Sequence, residues 1–311
     1  MIFTPIQIQE LLKIIDKYHI LFTAQHVGLD VLTPNDRAIL RSYGIDFNKL
    51  KKQSQVEHAY KFGILSDTLS QKDAKKLDYP SFKRFLQAGR FIPLTTREND
   101  ALDALKHHAY SDITGLGNRV KDEWRQLHIE SDQRQRAKYE SAIRNEAERT
   151  LRNRGSVREM SSALGHRTGD WSRDFGRIGD YVLHSAFDQG RASSIERSTG
   201  GDSLVYKDVY PGACRHCIKH YLTAGIGSQP KIFKLSELQS HGTNVGLKVA
   251  DWQPVIGPLH PWCRCTLEAI PQGYEWNKET QSFSTPRKDY KRKVQRKSKI
   301  KVQVGETITE V

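Results

Sequence analysis

Two short segments, far apart in the sequence, hold the residues best suited to chemistry. Cys214 and Cys217 form a Cys-x2-Cys pair after a Pro-Gly turn, and His260, Cys263 and Cys265 follow in a His-Pro-Trp-Cys-Arg-Cys run. Zinc takes four tetrahedral ligands from thiolates and imidazoles, and a Cys-x2-Cys turn supplies two of them. The sequence therefore predicts one structural zinc site that joins both segments.

The identity of the four ligands stays open at this stage. They are either the four cysteines, or Cys214, Cys217, His260 and one of Cys263 and Cys265, because the Cys-x-Cys and His-x2-Cys spacings compete. Reduced thiols without a metal and a disulfide between the cysteine pairs are the alternatives. In a cytosolic setting the metal is favoured over the disulfide. A redox role is favoured less, because no βαβ pattern surrounds the Cys-x2-Cys pair.

Charge is the second feature with a chemical meaning. Lys and Arg number 49 against 36 Asp and Glu, which gives a net charge of +13. Residues 287–301 hold nine bases and one acid, Asp289, and therefore most of that net charge. Such a run neutralises phosphates without reading bases, so we predict non-specific binding of double-stranded DNA. The predicted DNA-binding residues are Arg287, Lys288, Lys291, Arg292, Lys293, Arg296, Lys297, Lys299 and Lys301.

Three further arginines lie in or beside the Cys/His segments: Arg191, Arg215 and Arg264. Arginine binds phosphate and carboxylate equally well through its forked guanidinium group. Contacts to DNA or to acidic residues of the same chain would therefore both explain these three side chains.

Helix signals fill the first two-thirds of the chain. Thr33, followed by a proline, predicts a capped helix start, and Gly44 is the expected end of that helix. Thr96 is expected to cap a later helix. The Gly115-Leu116-Gly117 stretch is expected to bend or interrupt that later helix.

The composition changes after residue 200, where Gly, Pro and Cys become frequent. These patterns predict an α+β fold: a mainly helical N-terminal two-thirds, then a small Cys/His-containing α+β module and a flexible basic tail. We divide the chain into an N-terminal helical module (1–92), a long-helix region (93–200), the Cys/His module (201–275) and the tail (276–311).

Bulk composition excludes several classes of protein. The chain has no run of 18 apolar residues, so we expect neither a transmembrane helix nor a membrane partner. Its N-terminus lacks the basic and small-residue features of a secretory signal. Four cysteines in 311 residues do not form a disulfide scaffold.

Three stretches carry a resemblance to a known family. They are Tyr210-Pro-Gly-Ala-Cys214-x2-Cys217, then Gly257-Pro-Leu-His260-Pro-Trp-Cys263-Arg-Cys265, and the helical segment from Asp180 to Gly190-Arg191. Together they resemble the C-terminal signature of the phage Mu protein F-like family, the minor head or head morphogenesis proteins of tailed bacteriophages. The resemblance covers roughly residues 120–272 and is specific from about 178 to 270.

The resemblance implies a structural role rather than an enzymatic one. It implies a low-copy minor capsid protein of the procapsid and virion interior, made in the host cytoplasm, that contacts the portal protein and packaged DNA. The competing interpretation is a metal-dependent nuclease or transferase that uses the Cys/His module. A catalytic zinc needs an open position and a nearby acid or base. The nearest acids in sequence are Asp208, Asp251 and Glu268. A host DNA-binding regulator ranks last, because no helix-turn-helix pattern is visible.

Overall fold

The computed structural model describes residues 5–50, 54–69, 73, 78–89, 91, 93–129, 171–286, 301–304 and 307–310. Helices dominate the described residues up to 199, and short antiparallel strands follow, so the predicted α+β class is confirmed. Contacts within the chain divide it into two compact units, 1–270 and 271–311. The four-part division expected from composition stays a prediction.

The first unit contains the helices and the Cys/His module. The helices among its described residues are, in chain order, α1 (Pro5–His26), α2 (Pro34–Ser42), α3 (Gln55–Thr68), α4 (Tyr79–Gln87), α5 (Thr96–Ile129), α6 (Trp171–Thr199), α7 (Arg215–Tyr221) and α8 (Leu235–Ser240). Single 3-10 turns occupy Phe47–Lys49 and Val249–Asp251.

Local capping explains where several helices begin. At α2 the Thr33 hydroxyl accepts from the Asp36 amide while the Asp36 carboxylate accepts from the Thr33 amide, so the predicted start is confirmed. Gly44 follows this helix with φ 70°, as expected for a left-handed C-terminal residue. The cap predicted at Thr96 is wrong by one residue. The Thr95 hydroxyl accepts from the Glu98 amide there, and the Glu98 carboxylate accepts from the Thr95 amide.

The predicted interruption at Gly115–Gly117 is also wrong, because α5 runs continuously from Thr96 to Ile129. Leu116 and Val120 are buried in the helical core on either side of the second glycine. A Cβ atom at Gly117 would lie 2.9 Å from the ring of His19 on α1. The glycine therefore allows two helices to approach, and packing outweighs its cost of about 1 kcal/mol in a helix interior.

The backbones of α3 and α6 approach each other closely where the two helices cross. A Cβ atom at Gly63 would lie 2.0 Å from the Phe187 carbonyl oxygen, and one at Gly190 would lie 2.0 Å from the Tyr60 carbonyl oxygen. Two glycines facing each other's backbones thus bring the helices together. The Tyr60 hydroxyl also donates to Ser193 across this crossing, at 2.9 Å.

A three-stranded antiparallel sheet follows α6. Its strands are β1 (Leu204–Asp208), β2 (Phe233–Lys234) and β3 (Thr266–Ala269), with β1 in the centre. Tyr206 pairs with Glu268, and Val205 pairs with both Phe233 and Ala269. Ala192 and Ile195 of α6 belong to the core of this module, whereas earlier residues of α6 belong to the helical core. Helix α6 is therefore shared by both cores.

The second unit, 271–311, contains two hairpins. One pairs β4 (Glu275–Asn277) with β5 (Ser282–Ser284), and Trp276 contacts Phe283 edge to face. The other pairs β6 (Lys301–Val304) with β7 (Thr307–Glu310). Of the predicted DNA-binding run, residues 287–300 lie outside the described residues, and Lys301 is described only as backbone of β6.

Candidate metal centre

Helix α7 and the turn before β3 position the five predicted ligands. Cys214 is the residue that precedes α7, and Cys217 lies one turn later on the buried face of that helix. His260 and Cys263 lie at the two ends of one turn, and Cys265 directly precedes β3. The structure therefore brings the two distant segments together, as the sequence predicts.

The turn from His260 to Cys263 has an unusual third residue. The Cys263 amide donates to the His260 carbonyl at 3.1 Å, and Pro261 occupies the second position. Trp262 follows with φ 67°, a left-handed conformation that usually requires glycine or asparagine in a turn of this kind. This backbone places the flanking imidazole and thiol on the same side, toward α7.

The donor atoms form two triplets that share one thiol. Cys214, Cys217 and His260 form the first triplet, and Cys217, Cys263 and Cys265 form the second, each with all its donor atoms within 4.8 Å. The His260 Nε2 atom lies 3.1 Å from Cys214 Sγ and 3.3 Å from Cys217 Sγ. Cys217 Sγ lies 3.8 Å from Cys214 Sγ and 3.6 Å from Cys263 Sγ.

These separations suit a tetrahedral metal ion. An ion 2.3 Å from each sulfur separates neighbouring sulfurs by about 3.8 Å, and a sulfur from an imidazole nitrogen by about 3.5 Å. The observed sulfur distances at Cys217 match the first value, and the His260 distances are slightly shorter than the second. All four cysteines are free. The predicted alternative of a disulfide is therefore not the state that the structure shows, whereas the donor set can hold a metal.

A backbone contact fixes the useful tautomer of His260. Its Nδ1–H donates to the Pro261 carbonyl at 2.7 Å, so Nε2 keeps its lone pair and faces the thiols of α7. A carbonyl on the far nitrogen is the usual partner of a metal-binding imidazole. The ring of Trp252 stacks on the imidazole with centroids 5.8 Å apart, which further restricts its orientation.

Within the buried triplet, hydrogen bonds favour ionisation of one thiol. Hydrogen bonds that Cys263 shares with Cys217 and Cys265 lower its pKa. The same bond to Cys263 raises the pKa of Cys217. For Cys265, the bond with Cys217 lowers the pKa, but the bond with Cys263 and burial raise it overall to about 12. Because metals bind thiolates, these shared hydrogen bonds favour a thiolate ligand within the buried triplet.

The exposed thiol of Cys214 is also prepared for ionisation. Burial raises its pKa, but the backbone amides of Cys217 and His216 and the nearby His260 outweigh this and lower it overall. Amides at the start of a helix stabilise negative charge, which is the usual reason for an acidic thiol at such a position. Each triplet therefore contains one thiol whose pKa is lowered.

The structure is compatible with both ligand sets that the sequence predicts. The first triplet contains three members of the set with His260, and the second contains three members of the four-cysteine set. Cys217 belongs to both triplets, so every alternative requires it. Completing either set with a fourth ligand joins the exposed thiol of Cys214 to the buried thiol of Cys263 or Cys265.

Ion pairs bind the Cys/His module to α6. Arg264, between the two cysteines of the Cys-x-Cys pair, binds both oxygens of Asp180 at 2.9 and 2.8 Å. Arg191 binds both oxygens of Glu268 on β3 at 2.7 and 2.6 Å. Two of the three arginines singled out in the sequence thus have carboxylate partners within the chain.

A fully buried ion pair also joins the Cys/His module to α6. Lys207 of β1 is 0% exposed and Asp188 of α6 is 2% exposed, and their charged atoms are 2.6 Å apart. Lys207 also donates to the Ile256 carbonyl, and Asp188 accepts from the Leu267 amide at 3.0 Å. A buried ion pair persists only when its remaining polar atoms are satisfied in this way.

Sequence reasoning missed the acidic partners on α6. The signal is available in the sequence: Asp180 and Asp188 stand eight residues apart on a helix whose apolar residues predict burial of the same face. Carboxylates on a buried face need cationic partners. Of the three acids considered for catalysis, Glu268 binds Arg191, while Asp208 and Asp251 are exposed.

Comparison with known proteins identifies no relative. No family model, curated protein or solved structure matches this chain. Among the described helices, none has both the length and the apolar character needed to cross a membrane.

Proposed function

We propose that the Cys/His cluster binds one structural zinc ion. The observation that carries this proposal is the pair of donor triplets around Cys217, with sulfur separations of 3.6 and 3.8 Å. Thiolate and imidazole donors are the set that zinc prefers, and four such donors close a structural site without an open position. Zinc supplies charge neutralisation and a rigid link between α7 and the turn before β3.

The chain's own residues explain why such a link is useful. The module's sheet has three short strands, and β2 has only two residues. Small units of this kind bury too little surface for independent stability and often use a metal. The zinc site connects α7, which follows β1, with the segment that precedes β3, and the ion pairs of α6 hold the module against the long helix.

We further propose that the protein is a minor capsid protein of a tailed phage. In this role it acts near the portal during procapsid assembly, contacts packaged double-stranded DNA and performs no catalysis. The support is the sequence resemblance to the Mu protein F-like family. The residues that carry it are tied together in one folded unit, since Arg264 binds Asp180 and Arg191 binds Glu268. The run 287–301 provides the positive charge for DNA.

The structural role of zinc is tested by unfolding the module selectively. Cys217→Ser removes the thiol common to both triplets, and zinc binding contributes on the order of 10 kcal/mol in small modules. Hydrogen exchange should therefore show lost amide protection over residues 204–269 and retained protection in α1, α3 and α5. Ser236→Ala, at an exposed position of α8 in the same module, is the matched control. Equal protection in both variants would contradict a structural role.

The protein composition of purified phage particles tests the proposed role in the head. Quantitative mass spectrometry of purified procapsids and virions should find the chain at low copy number in both. Its absence from every head intermediate would contradict the proposal. So would metal-dependent cleavage of DNA that is lost on Asp251→Asn or Glu268→Gln, which would favour the enzyme.

A further inference from the structure

The Cys/His module carries a basic surface whose residues are not among the candidate metal ligands. From Val209 to Ser236 the chain contains no Asp or Glu, yet it contains Arg215, Lys219 and Lys231 with exposed side chains. The first two lie four residues apart on α7 and therefore occupy one face of that helix. We define these three residues as the α7 basic surface.

The sequence of α7 separates this surface from the metal site. Cys217 and Tyr221 are buried and also stand four residues apart, so they form the face that packs against the module. Arg215 and Lys219 are exposed on the other side. Helix α7 is thus a two-sided element with metal ligands on one face and cations on the other.

The fold brings the third cation to the same place. The Lys231 Nζ atom donates to the Lys219 carbonyl at 2.7 Å, and the Lys231 amide donates to the Tyr221 carbonyl at 2.8 Å. Burial lowers the pKa of His220, and the positive charges of Lys219 and Lys231 lower it further. Several cations therefore converge on this end of the helix.

No carboxylate balances this surface within the part of the chain that the structure describes. None lies within 4.0 Å of the charged atoms of Arg215, Lys219 or Lys231 there, whereas Arg191 and Arg264 each bind a carboxylate. The helix C-terminus favours the cations at Lys219 and Lys231. Arg215 stands at the opposite end, where the helix dipole disfavours a cation, so capping does not explain it.

We propose that the α7 basic surface binds the phosphates of double-stranded DNA without sequence preference. The inference rests on the proposed function, in which packaged DNA is a partner, and adds a folded contact to the predicted one at 287–301. Duplex DNA is the probe because packaged DNA is the partner in the proposed function, and Tyr221, the single Phe, Tyr or Trp residue of α7, is fully buried and offers no face for base stacking.

The expected effect follows from counter-ion release. Each phosphate contact contributes about 0.9 to the slope of log affinity against log salt concentration. Loss of three contacts should therefore make the slope shallower by about 2.7 and weaken binding at 0.1 M salt on the order of a hundredfold.

The experiment measures duplex DNA binding by the full chain across a salt series. The surface variant carries Arg215→Gln, Lys219→Gln and Lys231→Gln. The matched control carries Lys49→Gln, Lys83→Gln and Arg119→Gln, which remove the same charge from exposed positions on the helical part. A tail variant replaces the nine bases of 287–301 with Gln. Zinc content and circular dichroism establish that all four proteins are folded alike.

The inference predicts a shallower slope for the surface variant, an unchanged slope for the control, and residual salt-dependent binding by the tail variant. A surface variant that behaves like the control would overturn it and leave DNA binding by the tail intact. Complete loss of binding in the tail variant would overturn it as well. If the parent protein binds anionic phospholipid vesicles but no DNA, both this inference and the proposed DNA contact fail.

Discussion

The crossing of α3 and α6 gives a sharp prediction about Gly190. A Cβ atom there would lie 2.0 Å from the Tyr60 carbonyl oxygen and 2.9 Å from its carbonyl carbon. Ordinary contacts of this kind begin at 3.4 Å, so Gly190→Ala must move the helices apart by about 1.4 Å. Neither contacting atom can rotate away, because both belong to the backbone of a helix.

The energetic cost follows from the packing that this movement disrupts. Tyr60, Ile64, Val182 and Ala186 form part of the core at or near the crossing. A gap of 0.5–1 Å already forfeits a quarter to a half of a dispersion contact, and overpacking alone costs 1–3 kcal/mol. We therefore expect Gly190→Ala to lower the free energy of unfolding by about 3 kcal/mol or more.

A matched control lies in the same helix. Gly176 of α6 has no atom within 4 Å of an added Cβ, so Gly176→Ala should raise the free energy of unfolding by about 0.5–1 kcal/mol through helix propensity alone. Urea unfolding followed by circular dichroism measures both variants. A loss below 1 kcal/mol for Gly190→Ala would refute the close backbone contact, and equal effects at the two glycines would refute the packing argument.

Two further predictions concern buried ionisable side chains. Lys207→Met leaves the Asp188 carboxylate buried without its cation and should cost about 3–5 kcal/mol in urea unfolding, whereas Lys234→Met, at an exposed ion pair, should cost a few tenths; similar costs would contradict the burial argument. Burial lowers the pKa of His19 and His26 below 6.5 in the folded protein. The unfolded chain then binds more protons as the pH falls, so stability should decrease as the pH falls through 6.5, and replacing both histidines with Gln should flatten that decrease; an unchanged pH profile would contradict it.

Local signals in the sequence predict local structure well. The capping box at Thr33 needs only the next three residues, and the prediction of that helix start is confirmed. The Cys-x2-Cys and His-Pro-Trp-Cys-Arg-Cys spacings likewise predict a shared cluster, because few other arrangements bring five soft donors together. These features depend on residues close together in the sequence, so they can be predicted without knowledge of the tertiary structure.

Features that depend on tertiary packing could not be predicted from local sequence patterns. The glycines at 115 and 117 resemble a helix break, yet Gly117 lies within a continuous helix and packs closely against the His19 ring. Arg264 and Asp180 are 84 residues apart, and Arg191 and Glu268 are 77 apart. Such pairs follow only from the packing of α6 against the sheet, which periodicity does not specify.

The zinc content of the purified full chain tests the central claim most directly. The protein is prepared under reducing conditions, passed over a desalting column and measured by inductively coupled plasma mass spectrometry, with Cys217→Ser as the matched variant. A structural centre built around Cys217 predicts about one zinc per chain in the parent and almost none in the variant. Well under half an equivalent of zinc in freshly reduced parent protein, or equal zinc in both proteins, would contradict it.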